Sequence, residues 1–404
     1  MRVLLISSQF PPVPGGGGAY TYYLTKALLS VTTLGGNSRN EICVLTHTGL
    51  NPRVERRKPN MELHAVPFSR AGRVPYESVI TYGLELCRKF RPHVIHGQHF
   101  EGVCVATHLK AAFPDGVSFA TFHQSPAGDH IEGLRQRDAR VAALVALVTQ
   151  VDRVIVTCNV YRDELLSFGI SPEKIDMIWP GVDLSSVVSI GAGRRCLALD
   201  ALRNLGIVVD KSSHVVLCPA RLDSGKDLET FIRAAGALKR RTSGKLQVTF
   251  LVAGKSETPS DDENRYQAQL EYIAKIEGVA DDLRFASFGL HDMFAVYRLS
   301  SACVLPSVRE ALGLVLIEAM ALRVPVVAAN VRGITDVIEP ERNALDFPPR
   351  DHNKLSEQLE RILHEPELAK RLRASGVRTV KEKFDHRRMG IEHCLLYKRL
   401  INPQ

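Results

Sequence analysis

Two series of short apolar runs, rich in β-branched residues, constrain this chain more than any other feature of its sequence. Amphipathic stretches separate the runs within each series. The first series comprises RVLLIS (2–7), EICVLTH (41–47), HVIHGQ (93–98), GVSFATFH (116–123) and RVIVTC (153–158). Strands that are apolar on both faces and alternate with helices predict a parallel sheet covered on both sides. The first series therefore predicts a Rossmann-like domain.

The alternation stops at IWPGVDLSSVVSIGAGRR (178–195), where Pro, Gly and Ser gather as in a linker. It then resumes with HVVLCPARL (214–222), QVTFLVAG (247–254), LRFASFG (283–289), ACVLPS (302–307) and PVVAAN (325–330). A chain of 404 residues also exceeds what one hydrophobic core usually serves. We predict an α/β protein with two Rossmann-like domains, 1–183 and 184–384. Residues 385–404 have helical spacing, and we expect this C-terminal helix to pack back on the first domain.

Composition and cysteine usage indicate the compartment. No run approaches the roughly 18 uninterrupted apolar residues of a membrane span, and the first apolar run is too short for a signal peptide. The eight cysteines show no C-x-x-C spacing, which predicts buried free thiols in a reducing compartment. We therefore expect a cytoplasmic protein, either a monomer or a homodimer.

The chain is basic, with a net charge of +8 and basic clusters at 53–59 and 239–241. Neither cluster is interleaved with aromatic residues, so we expect solvated surface rather than a nucleic-acid site. The charge is compatible with an anionic partner, either a nucleotide-linked substrate or the acidic inner face of a membrane that the protein would contact peripherally.

A glycine-rich loop follows the first predicted strand. In open parallel sheets, ligands bind beyond the carboxyl ends of the strands. Four glycines, Gly15 to Gly18, open a helix there, and their backbone could approach a phosphate or a sugar. A flexible turn is the alternative. The strict G-x-G-x-x-G frame fails because Tyr20 occupies its last position, which weakens a nicotinamide-cofactor interpretation.

Histidines gather near the ends of two predicted strands. The segment TFHQ (121–124) places His123 beyond the fourth strand, as a catalytic or a packed residue. His93, His96 and His99 are spaced by three residues across a strand end. This spacing does not direct three rings at one ion, so we predict no metal site.

The second series carries cations and carboxylates at its strand ends. Arg221 and Lys226 follow the strand 214–219 on a glycine-containing turn and suit a diphosphate, although such residues are also common in solvated loops. In VREALGLVLIEAM (308–320), Glu310 lies in a loop, Gly313 begins a helix and Glu318 lies more than one turn inside it. The first helical N–H groups would point at the same crevice as the two cations. The two carboxylates then either hold sugar hydroxyls on both sides of a diphosphate or are buried structural groups.

In this order, the motifs resemble those of the retaining GT-B glycosyltransferases of family 4, the glycosyl transferases group 1. The matching elements are E-x7-E at Glu310 to Glu318, R-L-x-x-x-K at Arg221 to Lys226, PGVD at 180–183, the glycine-rich loop and His123. The resemblance implies two Rossmann-like domains with a cleft between them. It also implies transfer of a hexosyl group from a nucleoside diphosphate sugar, with UDP favoured, to an acceptor hydroxyl, without a cofactor or a metal.

The resemblance also implies roles for individual residues. Glu310 would contact the donor hexose, Glu318 the ribose, and His123 the reacting sugar. The diphosphate would be held by Arg221 and Lys226, by the amides of Gly313 and Leu314, and by Gly16 or Gly17, whereas Leu312 would line the donor pocket and Asp183 would belong to the hinge.

Four positions depart from the family pattern. Asp227 and Arg323 stand where glycine is usual, Leu312 where an aromatic residue is usual, and Arg332 where a second glycine is common. These departures bear on the shape of the donor pocket and leave the charged positions intact.

Three other functions remain open from the sequence. A GT-B sugar-nucleotide epimerase or hydrolase would need no acceptor, a nicotinamide-dependent enzyme would bind its dinucleotide, and a non-catalytic nucleotide-sugar-binding protein would never turn the donor over. The acceptor, the hexose and the linkage are not determined by these motifs.

Overall fold

A computed structural model describes residues 1–11, 16–31, 40–47, 53–68, 76–123, 134–207, 213–256 and 260–402. The chain forms two compact units, Met1–Asp183 with Phe384–Gln404 and Leu184–Lys383. Each unit is a mainly parallel sheet flanked by helices. This architecture confirms the predicted α/β class with two Rossmann-like domains.

The described strands of the first unit form one sheet in the order β3-β4-β2-β1-β5-β6-β7-β8. All neighbours pair in parallel except β3 with β4. The strands are β1 (Arg2–Ser7), β2 (Glu41–His47), β3 (Arg53–Lys58), β4 (Met61–Val66), β5 (Val94–Gln98), β6 (Val117–Thr121), β7 (Arg153–Val156) and β8 (Ile175–Met177).

The described strands of the second unit form a parallel sheet in the order β11-β10-β9-β12-β13-β14. They are β9 (Ser213–Cys218), β10 (Gln247–Ala253), β11 (Leu283–Ala286), β12 (Ala302–Leu305), β13 (Val326–Ala329) and β14 (Leu345–Phe347).

Helices connect these strands and cover both sheets. The described helices are α1 (Gly16–Ser30), α2 (Glu77–Phe90), α3 (His99–Ala112), α4 (Leu134–Gln150), α5 (Asn159–Ser167), α6 (Leu184–Gly193), α7 (Arg195–Asn204), α8 (Leu228–Arg241), α9 (Asp261–Ile276), α10 (Leu290–Leu299), α11 (Leu314–Ala321), α12 (His352–His364), α13 (Pro366–Lys383) and α14 (His386–Ile401). Within the described ranges, no helix combines the length and apolarity needed to cross a membrane.

Both sheets change winding direction next to a central strand. The chain proceeds from β1 to β2 on one side and later returns to place β5 on the other side. In the second sheet, β10 and β12 flank β9 in the same way. Crevices at such switch points, beyond the carboxyl ends of the strands, are where open α/β sheets bind ligands. Candidate ligand sites therefore lie in the loops after β1 and β5 of the first sheet and in those after β9 and β12 of the second.

The first basic cluster is an edge strand, which the apolar pattern does not predict. Strand β3 has the sequence RVERRK and is mostly exposed. Its ion pairs are local, since Arg53 and Arg57 contact Glu55, and Arg56 contacts Glu62. A charged edge discourages pairing with other chains.

The predicted linker is wrong in its second half. Residues 184–193 form α6, which packs against α10. Its sequence LSSVVSIGAG is rich in Ser, Val and Gly, which are weaker helix formers than Ala or Leu. Packing of an apolar face can stabilise a helix despite weak propensity, because most helical stability in proteins comes from tertiary contacts.

The C-terminal segment lies with the first unit. Helix α14 packs against α1 and β6, and Phe384, placed in the second domain by the predicted boundary, is fully buried in the first unit. Val182 forms a bridge with Asp385, and its N–H donates to the carbonyl of Phe384 at 2.8 Å. The segments that lead into and out of the second unit are thus paired with each other within the first unit.

Candidate functional site

The loops after β9 and β12 are joined at the switch point of the second sheet. The N–H of Val308 donates to the carbonyl of Gly225 at 3.3 Å. The ammonium Nζ of Lys226 donates to Oε2 of Glu310 at 2.7 Å, and both side chains are mostly buried. The structure therefore brings together two predicted site residues that are far apart in sequence, in a charge-assisted hydrogen bond.

Arg221 belongs to the same β9 loop but makes weaker contacts. Its side chain is 65% exposed, and its Nη2 atom lies 3.9 Å from Oδ2 of Asp223, beyond hydrogen-bond distance. The other carboxylate oxygen of Asp223 accepts from the N–H of Gly225 at 2.8 Å and shapes the turn that carries Lys226. The guanidinium of Arg221 is thus exposed to solvent, on a loop whose turn is fixed by Asp223, and a ligand can reach it.

Helix α11 begins beside Glu310. Gly313 is its N-cap with φ 74°, and Leu314 is its first residue. The first N–H groups of a helix have no partner within it, so this end can receive an anion. Leu312 is 6% exposed. A Cβ on Gly333 would lie 2.0 Å from the carbonyl oxygen of Glu310, so the absence of a side chain there lets residues 310–311 pack closely.

Glu318 has a different environment from Glu310. It is only 5% exposed, on α11, and the hydroxyl of Tyr297 on α10 donates to its Oε2 at 3.3 Å. Tyr297 is itself fully buried. The second carboxylate of the motif thus has a protein partner, whereas the first is paired with a predicted site cation.

Two departures from the family pattern have the backbone that glycine favours. Asp227, the N-cap of α8, has φ 50°, and Arg323, just after α11, has φ 64°. Both values lie in the left-handed region, which costs a residue with a Cβ about 1 kcal/mol. Burial raises the pKa of Asp227, an effect opposed by hydrogen bonds from Thr230. These departures add side chains while the backbone keeps a glycine-like conformation.

The two described glycines at the start of α1 differ in what surrounds them. Gly16 is exposed, and a Cβ there would meet nothing within 4 Å. Gly17 is buried, and a Cβ there would lie 2.0 Å from Cε1 of His99. The ring of His99 therefore fills the space beside Gly17, and the open face of the loop belongs to Gly16. Gly15 lies outside the described residues.

His123 lies beyond β6 within a group of rings. Its ring centroid is 4.4 Å from that of Tyr20 and 4.7 Å from that of His99. Its Nε2 lies 2.7 Å from Oε1 of Gln98, the last residue of β5. These residues come from α1, the β5–α3 junction and the end of β6, so they meet at the switch point of the first sheet. Residue 124, which follows, lies outside the described residues.

Burial favours the neutral form of the histidines in this group. Burial, together with the neighbouring His99 and His96, lowers the pKa of His123 well below its ordinary value. Burial lowers the pKa of His99 to about 4. A neutral imidazole has one donor and one acceptor nitrogen, so the ring of His123 can accept a hydrogen bond from a hydroxyl group.

The predicted histidine trio is dispersed. His93 Nδ1 accepts from the N–H of Arg2 at 2.9 Å, whereas His96 is hydrogen-bonded to Tyr397 at 2.6 Å and to Thr121 at 2.8 Å. Among the residues that the structure describes, no group of three or more His, Cys, Asp or Glu side chains could hold a metal ion.

Sequence reasoning missed Gln98 and Tyr20 as neighbours of His123. Gln98 stands at the carboxyl end of a central strand. The rule that ligands bind beyond the carboxyl ends of parallel strands could therefore have identified it. The sequence places Tyr20 only at the last position of a glycine frame, and its contact with the His123 ring depends on the tertiary structure.

The family models match both units. Residues 207–378 match the model described as Glycosyl transferases group 1, and residues 14–186 match that described as Glycosyltransferase Family 4. A D-inositol 3-phosphate glycosyltransferase of Saccharomonospora viridis is 31% identical over 252 residues, which are 62% of this chain and 56% of the relative. The chain thus spans about half the length of the curated relatives of this kind that it matches.

Solved structures match over nearly the whole chain. Sucrose-phosphate synthase from Thermosynechococcus elongatus is 23% identical with a TM-score of 0.78, and 99% of each chain is covered. The Anabaena protein HepE, in complex with UDP and glucose, is 15% identical with a TM-score of 0.77, covering 98% of this chain and 99% of the other. With one family model on each unit and this shared architecture, the chain belongs to the glycosyltransferases of group 1 and family 4 and has the GT-B fold.

Proposed function

We propose that this protein is a retaining glycosyltransferase that moves a hexosyl group from a nucleoside diphosphate sugar, with UDP favoured, to an acceptor hydroxyl. The pairing of Lys226 with Glu310 at the β9/β12 switch point carries this proposal. A cation suited to a diphosphate lies beside a carboxylate suited to sugar hydroxyls, next to the amino end of α11. The family and the named relatives, including one solved with UDP and glucose, support the reaction class and the nucleotide.

Each residue has a defined role in the proposed reaction. Breaking the anomeric C–O bond leaves negative charge on the diphosphate, which Lys226, Arg221 and the first amides of α11 stabilise. Glu310 binds hydroxyls of the hexose, and Glu318 binds the ribose. The acceptor oxygen attacks from the face that the diphosphate leaves, and its proton passes to a departing phosphate oxygen. This route needs no protein nucleophile and no metal.

The proposal assigns two residues of the first unit as well. His123 contacts the transferred hexose through its neutral ring, and Gly16 brings exposed backbone to the diphosphate. The acceptor is left as a hydroxyl compound of unassigned class.

Transfer can be tested with a panel of nucleotide sugars and hydroxyl acceptors, using mass detection of glycosylated product and NMR of the anomeric configuration. Lys226→Ala should lower turnover on the order of 10²-fold, because the cation acts most strongly on the charge of the transition state. Lys239→Ala is the matched control, since it removes another ion-paired lysine of the same unit, 2.8 Å from Asp282. Equal rates for the two variants would exclude Lys226 from the site.

The same panel separates the epimerase or hydrolase alternative. Donor consumption without an acceptor and without glycosylated product would support that alternative. Donor binding without any turnover would instead indicate a non-catalytic binding protein.

A further inference from the structure

Gln98 is a buried polar side chain with half of its amide unpaired. The residue is fully buried at the end of β5, and its Oε1 lies 2.7 Å from Nε2 of His123. Its Nε2 has no hydrogen-bond partner among the described residues. A buried donor without a partner is destabilising, and a leucine of similar size would avoid that cost. This cost points to a role for the glutamine other than stability.

The hydrogen bond to Gln98 selects one form of the His123 ring. A neutral imidazole has its proton on only one nitrogen, and an amide oxygen can only accept. The nitrogen that faces Oε1 is therefore the protonated Nε2. The other nitrogen, Nδ1, has no hydrogen bond within the described part of the chain and remains an acceptor.

The rings around His123 restrict its orientation. Tyr20 packs on it from α1 and His99 from the start of α3. The position of His99 depends in turn on Gly17, whose missing side chain leaves space for that ring. The imidazole is thus held by packing, and Gln98 is left to determine which of its nitrogens is free.

We propose that Gln98 is a positioning residue that holds His123 as the Nε2–H tautomer and so presents Nδ1 as the acceptor for a hydroxyl group of the transferred hexose. This inference rests on the proposed function, in which His123 contacts the hexose. Gln98 itself touches no substrate in this scheme. It acts through the ring, much as partners of metal-binding histidines fix their tautomers.

The tautomer can be measured without any activity. In the full chain labelled with ¹⁵N-histidine, long-range ¹H–¹⁵N spectra distinguish the two neutral forms, and His123→Asn identifies the signal among the 14 histidines. We expect Nε2–H in the wild type, and a mixed or reversed form in Gln98→Leu.

Thr121→Val is the matched control, because it removes the 2.8 Å hydrogen bond to another buried histidine, His96. It should leave the His123 signal unchanged. An Nδ1–H form in the wild type, or an unchanged form in Gln98→Leu, would overturn the proposal.

Kinetics test the consequence of the tautomer. Gln98→Leu should lower turnover on the order of tenfold or more, whereas Thr121→Val should not.

Gln98→Glu keeps an acceptor at the same place and should retain the Nε2–H form. Its carboxylate should raise the pKa of His123, so turnover should decline at a higher pH than in the wild type as acid protonates Nδ1. This variant also provides a test if Gln98→Leu folds poorly. A wild-type rate and pH profile in all folded variants would overturn the proposal. If the wild type transfers no sugar, the proposed function fails, and the tautomer then decides the positioning claim alone.

Discussion

At the scale of single residues, the two glutamates of the E-x7-E motif should respond differently to the same substitution. Glu310→Gln should lower turnover strongly and should not weaken binding of free UDP, because a free nucleotide has no hexose and Lys226 loses a competing partner. Glu318→Gln should weaken the binding free energy of free UDP by roughly 1.5–3 kcal/mol, the value of a hydrogen bond to a charged group. Calorimetric titration with UDP, beside rates at saturating donor, measures both effects.

Tyr297→Phe is the control for Glu318, because it removes one hydrogen bond to that carboxylate and leaves the carboxylate itself in place. It should lower thermal stability and leave UDP affinity near the wild-type value. If Glu310→Gln and Glu318→Gln instead lower stability equally and do not distinguish nucleotide from nucleotide sugar, both are structural carboxylates. A reversed pattern would show that the two roles are exchanged.

The cations of the β9 loop predict how the rate depends on metal. In the proposed site, Lys226 and Arg221 supply positive charge for the diphosphate, so EDTA should leave the rate of transfer nearly unchanged. Measuring initial rates before and after chelation, with Mg²⁺ or Mn²⁺ added back, tests this. A hundredfold loss that either ion restores would refute metal independence.

At the scale of elements, α11 ends in a Schellman motif with an arginine at the position that favours glycine. The N–H of Val324 donates to the carbonyl of Ala319, and that of Arg323 donates to Met320. Arg323→Gly should therefore be more stable than Arg323→Ala by about 1 kcal/mol, because only glycine adopts φ 64° without strain. In a unit of this size the difference corresponds to about 2–4 °C in Tm. Equal melting temperatures for the two variants would argue against a strained helix end.

At the scale of the whole molecule, acid should destabilise the first unit. Burial lowers the pKa of His99 and His393 in the first unit to about 4, whereas an unfolded chain has the ordinary value near 6.5. The unfolded state then takes up protons first as the pH falls. Stability of the first unit should therefore decline between about pH 6.5 and 4, by up to roughly 1.4 kcal/mol per pH unit for each such histidine.

The chain contains a single tryptophan, Trp179, which packs against Phe384 in the first unit. Its fluorescence reports denaturant unfolding of that unit, while far-UV circular dichroism reports both units. His393→Gln should flatten the pH dependence of the fluorescence transition. A fluorescence midpoint independent of pH over this range would contradict the prediction.

Much of the fold could be predicted because burial leaves a local signature. Strands such as β1 and β10 are apolar runs bounded by polar residues, and the start of α11 is marked by Gly313. The charged edge strand β3 and the short strands β8 and β14 lack that signature, because β3 is mostly exposed, β8 is only partly buried, and β14 buries only Leu345 and Phe347. Helix α6 was missed for the related reason that packing on α10 outweighs its weak propensity.

The sequence by itself determined the class of the fold, the alternation of its main strands with helices, and the charged residues at the strand ends. These follow from local periodicity and from the rule that parallel strands place their carboxyl ends at one edge.

The tertiary structure alone decided which of those residues meet. Lys226 contacts Glu310 across 84 positions, Gln98 reaches His123 across 25, and Glu318 is paired with Tyr297. Such pairs depend on strand order and side-chain direction, which no local pattern encodes. The same is true of the neutral state of His123, because desolvation depends on everything that surrounds the ring.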